Sequence, residues 1–241
     1  MTRKLLAEFL GTALLVCVVV GSGIMAQQLS PGEVGLQLLE NSTATVFGLG
    51  VLILVLGPVS GAHFNPVVSV ADWWAGRCQR SGLTGAELPG YLAAQIGGGV
   101  AGAVLANVMF DLPAWQISTH HRVTGGHLVG EIVATAGLIA VIFALARTGR
   151  AARSAAAAVA AYIGAAYWFT SSTSFANPAV TIGRIFSDTF AGIAPASVPG
   201  YIAAQIVGAA LGLAVVGVLY PAPTPAENIS HPDHPKDSAH R

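Results

Sequence analysis

Residues 60–67 read Ser-Gly-Ala-His-Phe-Asn-Pro-Val, and residues 175–180 read Phe-Ala-Asn-Pro-Ala-Val. Each Asn-Pro pair opens a short apolar stretch, roughly 65–75 and 177–187. Proline suits the first helical turn, where its missing N–H has no intrahelical acceptor, and asparagine suits the cap before it. The pattern predicts a helix in both places. Such a helix rises only ~15 Å, about half of a ~30 Å hydrocarbon core. A good helix start therefore stands twice in front of something too short to span a membrane.

The surrounding sequence makes the membrane the relevant solvent. Only 9% of the 241 residues are charged and 54% are apolar, with 29 glycines. A soluble domain carries about 25% charged residues. The composition excludes an ordinary soluble enzyme and a disordered chain, and a formal net charge of zero leaves no basic surface for nucleic acid. Six apolar segments approach the ~20 residues that a spanning helix needs: 5–26, 36–57, 88–110, 127–146, 154–171 and 199–220. Met-Thr-Arg-Lys followed by apolar sequence to Ala26 resembles a signal peptide, but the stretch is too long and is read as a retained first span. Cys17 and Cys78 form no metal motif, and no disulfide is expected. No cofactor and no metal is expected.

The two halves repeat. Pro89-Gly-Tyr-Leu-Ala-Ala-Gln-Ile-Gly echoes Pro199-Gly-Tyr-Ile-Ala-Ala-Gln-Ile-Val-Gly, and an Asn-Pro pair precedes them by 24 and 22 residues. An intramembrane glutamate opens each half, Glu8 and Glu131. Three spans per half require the second half to be inserted upside down. An inverted repeat with a broken helix in each half puts the working site at the midplane. Nine of the eleven basic residues fall on one side, with Arg122 and Arg184 left for the other, so the positive-inside rule puts both termini in the cytoplasm. The segment at 65–75 then enters from the cytoplasm and that at 177–187 from outside. Residues 221–241, with five prolines and three histidines (His231, His234, His240), read as a disordered cytoplasmic tail. The channel domain is expected over 1–220, with repeats at about 3–110 and 126–220.

The two Asn-Pro boxes, the paired glutamates and the Ala-Ala-Gln echo resemble the aquaporin family, the major intrinsic proteins, over roughly residues 3–220. The resemblance implies an all-α membrane protein of six transmembrane helices and two re-entrant half-helices. It also implies a homotetramer in the lipid bilayer of the cell (inner) membrane, with one pore per subunit. The pore residues it implies are Asn65, Pro66 and Val67 in the first box, and Asn177, Pro178 and Ala179 in the second. The asparagine amides would turn N–H donors into the lumen, beside helix N-termini that each add about half a positive charge. Water gives its oxygen to such donors, whereas a cation loses its hydration there. His63 matches the family's pore-lining histidine. Glu8 and Glu131, costly by about 2.5–3.5 kcal/mol if unpaired in the bilayer, would anchor the re-entrant loops. Proton relay is the alternative role for them. The stretches 60–64 and 172–176 would line the pore with carbonyls, since irregular backbone cannot face lipid.

Two departures from the family pattern bear on selectivity. Val67 stands in the first box where alanine is usual, and Val180 stands immediately after the second box where most members have arginine. Counting from the boxes puts Thr45, Ala165, Ser174 and Val180 at the outer constriction, with Phe47 in place of Thr45 if the second span carries a gap. That filter is small and mostly apolar. Arg184, one turn beyond Val180, either returns a cation to the mouth or snorkels to the outer interface. The expected function is a passive channel for small neutral solutes, such as glycerol-like polyols and undissociated arsenous acid, and for water. The alternatives are a water-selective pore closed by Arg184 or Phe47, and, further off, an ion-coupled transporter. No nucleophile or acid–base motif suggests an enzyme.

Overall fold

A computed structural model describes residues 1–77, 81–149 and 152–220, the side chains of 152 and 153 excepted. Cys78, Arg80, Arg150 and the expected tail 221–241 with its three histidines lie outside the described residues.

The described chain is all α-helical: α1 (Thr2–Leu29), α2 (Val34–Ser60), α3 (Pro66–Gly76), α4 (Leu88–Met109), α5 (Gly125–Arg147), α6 (Ala152–Phe169), α7 (Pro178–Gly183) and α8 (Val198–Leu219). Helices α1, α2, α4, α5 and α8 are long and apolar enough to cross a membrane. Helix α6 is as long as the segment 154–171 suggests, 18 residues, but lies two residues earlier and ends at Phe169. The half-helices begin at the two prolines. Helix α7 runs on as a 3-10 turn over Arg184–Phe186, so the second half-element is shorter and more tightly wound than the first.

The packing follows the repeat. Helix α1 lies against α2 and α4, and α5 lies against α6 and α8. Glycines permit the closest crossings. A Cβ on Gly99 would lie 2.5 Å from the Ala179 carbonyl, and one on Gly208 or Gly212 would lie 2.5 Å from the carbonyls of Ile132 or Ala136. Gly98 and Gly102 are pressed likewise against the backbone of Phe9 and Ala13. Small residues let backbones approach where lipid offers no hydrophobic drive for association. Gly97, grouped with these by sequence, has room for a methyl group against the Phe9 ring.

Polarity is distributed as a bilayer requires. Glu8, Glu131, Gln95 and Gln205 are fully buried inside, while Leu6, Leu10 and Leu14 of α1 and Val51 and Val55 of α2 are exposed outside. At the end of α4 from which Lys4 approaches, Thr84 and Glu87 form a capping box: Thr84 N–H donates to Glu87 Oε2 at 3.1 Å and Glu87 N–H to Thr84 Oγ1 at 3.3 Å. Hydrogen bonds from the Thr84 backbone and hydroxyl, then from Lys4, hold the half-buried Glu87 carboxyl below the usual glutamate value.

Candidate functional site

The two half-helices meet N-terminus to N-terminus. Asn65 Oδ1 accepts Val67 N–H at 3.1 Å, and Asn177 Oδ1 accepts Ala179 N–H at 2.9 Å and Val180 N–H at 3.2 Å. Each asparagine also reaches across the repeat axis. Asn65 Nδ2 donates to the Ala176 carbonyl and Asn177 Nδ2 to the Phe64 carbonyl, both at 2.8 Å. One amide thus caps its own helix with oxygen and ties the other box with nitrogen. Its second N–H remains for the cavity that both residues line.

The backbone before each box is irregular rather than extended. Ala62 and Phe64 in the first loop, and Thr173, Ser174 and Ala176 in the second, hold φ between +48° and +60°. Non-glycine residues adopt this left-handed region at a cost of about 1 kcal/mol or more each, so something must hold them there. The glutamates do. Glu8 accepts Ser60 Oγ–H (2.7 Å) and His63 N–H (3.0 Å) on Oε1, and Phe64 N–H (2.7 Å) and Gln95 Nε2–H (2.7 Å) on Oε2. Glu131 repeats the set with Ser172 Oγ–H (2.7 Å), Phe175 N–H (2.9 Å), Ala176 N–H (2.9 Å) and Gln205 Nε2–H (2.7 Å). With the N–H groups of each loop drawn to its carboxylate, the carbonyls of Ala62, His63, Ser174 and Phe175 accept no bond among the described residues, and these residues border the cavity.

Four spans complete the wall, each with a stripe spaced four residues apart: Leu15 and Val19 on α1; Thr45, Leu49 and Ile53 on α2; Leu138, Ile142 and Ala146 on α5; Ala155, Val159, Ile163 and Tyr167 on α6. These stripes bear on two of the filter positions inferred from sequence: they favour Thr45 over its alternative Phe47, and they correct Ala165. Phe47 is 69% exposed and points away from the lumen, so Thr45, 2% exposed, holds that place. Ala165 is exposed on the outer face of α6, and Tyr167 lines the cavity instead. The physical reason is the same in both cases. Two residues along a helix is ~200° of rotation, so a slip of two turns a lumen position to the lipid side. Tyr167 also brings to the cavity wall a bulk that sequence counting leaves out. Its hydroxyl lies 3.2 Å from Thr45 Oγ1, which bonds back to the Asn41 carbonyl at 2.8 Å.

Ser174 and Val180 border the same cavity, and the buried Ser174 Oγ has no partner among the described residues. Arg184 borders it too, at 4% exposure. Its guanidinium carbon sits 3.5 Å above the Phe175 ring and its Nε donates to the Ala191 carbonyl, so it is turned inward rather than snorkelling. At the other end, His63 Nδ1 lies 3.0 Å from Ser69 Oγ. Ser69 Oγ also accepts Gln95 Nε2–H at 2.8 Å, and His63 Nε2 lies 4.0 Å from Asp72 Oδ2. Sequence reasoning missed Tyr167 and Asp72. The i, i+4 run 155–159–163–167 was the signal for the first, and the turn after Ser69 for the second.

A lumen with backbone carbonyls and amide donors on one side and aliphatic side chains on the other, built on an inverted repeat with two broken helices, defines a polytopic membrane channel. The profile described as Major intrinsic protein matches residues 1–175. Aquaglyceroporin AqpS of Rhizobium meliloti (strain 1021) is 47% identical over 216 residues, covering 90% of this chain and 89% of its own length. Human aquaporin-2 is 37% identical over 150 residues, 59% of this chain and 51% of its own. The X-ray structure of the aquaglyceroporin from Plasmodium falciparum superposes with a TM-score of 0.65 at 20% identity, covering 90% of this chain and 96% of that one. The chain belongs to the major intrinsic protein family, whose members are channels and not enzymes.

Proposed function

We propose that this channel passes small neutral solutes, glycerol-like polyols and undissociated metalloid acids such as arsenous acid, together with water, and turns back ions and protons. The observation that carries the reading is the two-sided lining of the outer part of the cavity. Leu49, Ile163 and Val180 offer a carbon skeleton an apolar track, while the Thr45–Tyr167 hydroxyl pair, Ser174 and Arg184 offer hydroxyl groups partners. Val180 in place of an arginine leaves width directly after the second box. The likeness to an aquaglyceroporin over nine-tenths of the chain supports the same solute class. Cations meet the amides and the positive ends of α3 and α7, and the one carboxylate that borders the cavity among the described residues, Asp72, stands two turns further along α3. Water oriented at Asn65 and Asn177 cannot pass a proton along its file.

The assembly is proposed as a homotetramer in the cytoplasmic (inner) membrane with both termini inside. Exposed apolar faces on α1 and α2 and the one-sided placement of basic residues support this.

A second reading, a water-selective pore, is favoured by the bulk of Tyr167 and the inward turn of Arg184. Uptake of glycerol and arsenous acid into proteoliposomes separates the two. Protein-dependent entry of both supports the proposal. Entry gained only after Arg184→Ala or Tyr167→Ala supports the second reading. In either case Arg184→Ala raises the glycerol-to-water permeability ratio. An unchanged ratio removes Arg184 from the filter.

A further inference from the structure

Arg122 stands in the α4–α5 loop, outside the lumen. Its Nε donates to the Gly192 carbonyl at 2.6 Å and its Nη2 to the Phe190 carbonyl at 2.7 Å. Its backbone N–H is held by Ser197 Oγ at 2.9 Å. The carbonyl between those two, Ala191, takes the Nε–H of Arg184. Three consecutive carbonyls are therefore divided between two guanidinium groups. The same pair shares an aromatic ring: Arg184 Cζ lies 3.5 Å and Arg122 Cζ 5.5 Å from the centre of Phe175, the residue that opens the second box sequence. Phe175 is in turn braced edge-on by Tyr201, with ring centres 5.0 Å apart. Gly192 is pressed against the Ser187 carbonyl and the Ser118 side chain, so the segment cannot shift to accommodate a lost partner on that side.

Arg184 reaches the cavity, and its Nη groups have no acceptor among the described residues. Arg122 does not border the cavity. We infer that Arg122 is a positioning residue of the outer constriction: it fixes the 190–192 segment and one side of Phe175, and these hold the Arg184 guanidinium at the lumen in place of the arginine that Val180 replaces. Two like charges beside one ring repel, so each must be pinned by its own carbonyls. The division of Phe190, Ala191 and Gly192 between them does this. Selectivity then depends on a residue that no solute touches. The inference rests on Arg184 acting in the filter, as proposed above.

The test is a double-mutant cycle with the full chain in proteoliposomes, reading the ratio of glycerol to water permeability for Arg122→Gln, Arg184→Ala and the pair. Arg122→Gln is expected to move the ratio in the same direction as Arg184→Ala, by roughly threefold or more. It should add nothing once Arg184 is alanine. Arg122→Lys keeps the charge but cannot span two carbonyls, and is expected to fall between wild type and Arg122→Gln. It also serves as the readout if the glutamine variant does not reconstitute. A ratio unchanged by either Arg122 variant, beside a clear effect of Arg184→Ala, overturns the inference and leaves the filter reading intact. A shift by Arg122→Gln that persists in full without Arg184 also overturns it, because a loop that is merely structural acts in both backgrounds. No effect of Arg184→Ala overturns the filter reading itself.

Discussion

Glu131 shows how much one side chain can decide. Its two oxygens accept from a serine, two backbone amides and a glutamine, at 2.7–2.9 Å. Together they hold Thr173, Ser174 and Ala176 in left-handed conformations. A glutamine there keeps the shape but turns N–H donors toward amide donors. Two of the four buried donors then lose their acceptor at about 1–3 kcal/mol each, so Glu131→Gln is expected to destabilise the protein by about 2–6 kcal/mol. Thermal unfolding in detergent measures this, and a melting temperature equal to wild type refutes the anchoring role. Asn177 carries a different prediction. Aspartate preserves the cap oxygen but replaces the donor to Phe64 with an acceptor and puts negative charge at the midplane. Asn177→Asp is expected to admit cations or protons, read as a faster pH change by an entrapped dye. Both side chains were visible in the sequence, because an intramembrane carboxylate and a half-length helix start are costly unless they have a use. The re-entrant loop as partner of the glutamate came from the family resemblance; the particular amides did not, because left-handed backbone at alanine and phenylalanine leaves no mark in composition.

At the scale of elements, the broken helices are positioned by backbone-to-backbone contact. A Cβ on Gly99 of α4 would meet the Ala179 carbonyl at 2.5 Å, and Gly183 of α7 is pressed in return against Gly99. Gly99→Ala must push α7 off α4. Overpacking of this kind costs about 1–3 kcal/mol, and here it also displaces the helix that carries Val180. Reduced solute permeability together with reduced stability is expected for Gly99→Ala, whereas Gly97→Ala, whose methyl group meets only the Phe9 ring at ordinary contact distance, is expected to leave both unchanged. Equal behaviour of the two variants would contradict the packing. The same scale explains where sequence reading stopped. The spans and the half-helices were legible from apolar length and from Asn-Pro. Which face of α2 and α6 meets the lumen was not, because helical phase was carried by residue counting across loops, and a two-residue error exchanges Tyr167 for Ala165 or Thr45 for Phe47.

At the scale of the molecule, the outer loops close over the second half-element. Asp188 accepts Thr119 N–H at 2.7 Å and Thr119 Oγ1–H at 3.0 Å, and Ala194 N–H donates to the His120 carbonyl at 2.8 Å. The backbone bond from Thr119 is the main cause that holds the Asp188 carboxyl below its ordinary 3.8. A depressed folded value means that this tie stabilises the loop above about pH 4 and is lost as pH falls through the folded value. The protection of the Thr119 amide, its exchange rate taken relative to the intrinsic rate at each pH, is expected to fall on acidification, and Asp188→Asn to remove that pH dependence. Protection that does not respond to pH would show that the carboxylate holds nothing. The inverted repeat is the large-scale feature most legible in sequence, since the Pro-Gly-Tyr echoes and the paired glutamates state it outright. The loop ties are the least, since they join residues some seventy positions apart.

This channel is proposed to be a passive pore wide enough for neutral solutes larger than water and closed to protons. Stopped-flow light scattering on proteoliposomes loaded with a pH dye tests this in one preparation, by comparing osmotic water flow, glycerol entry and proton leak with protein-free vesicles. A pore of that kind gives glycerol entry well above the protein-free rate, initial rates linear in glycerol concentration, and no added proton leak. Fast water flow with glycerol entry at the protein-free rate would contradict it.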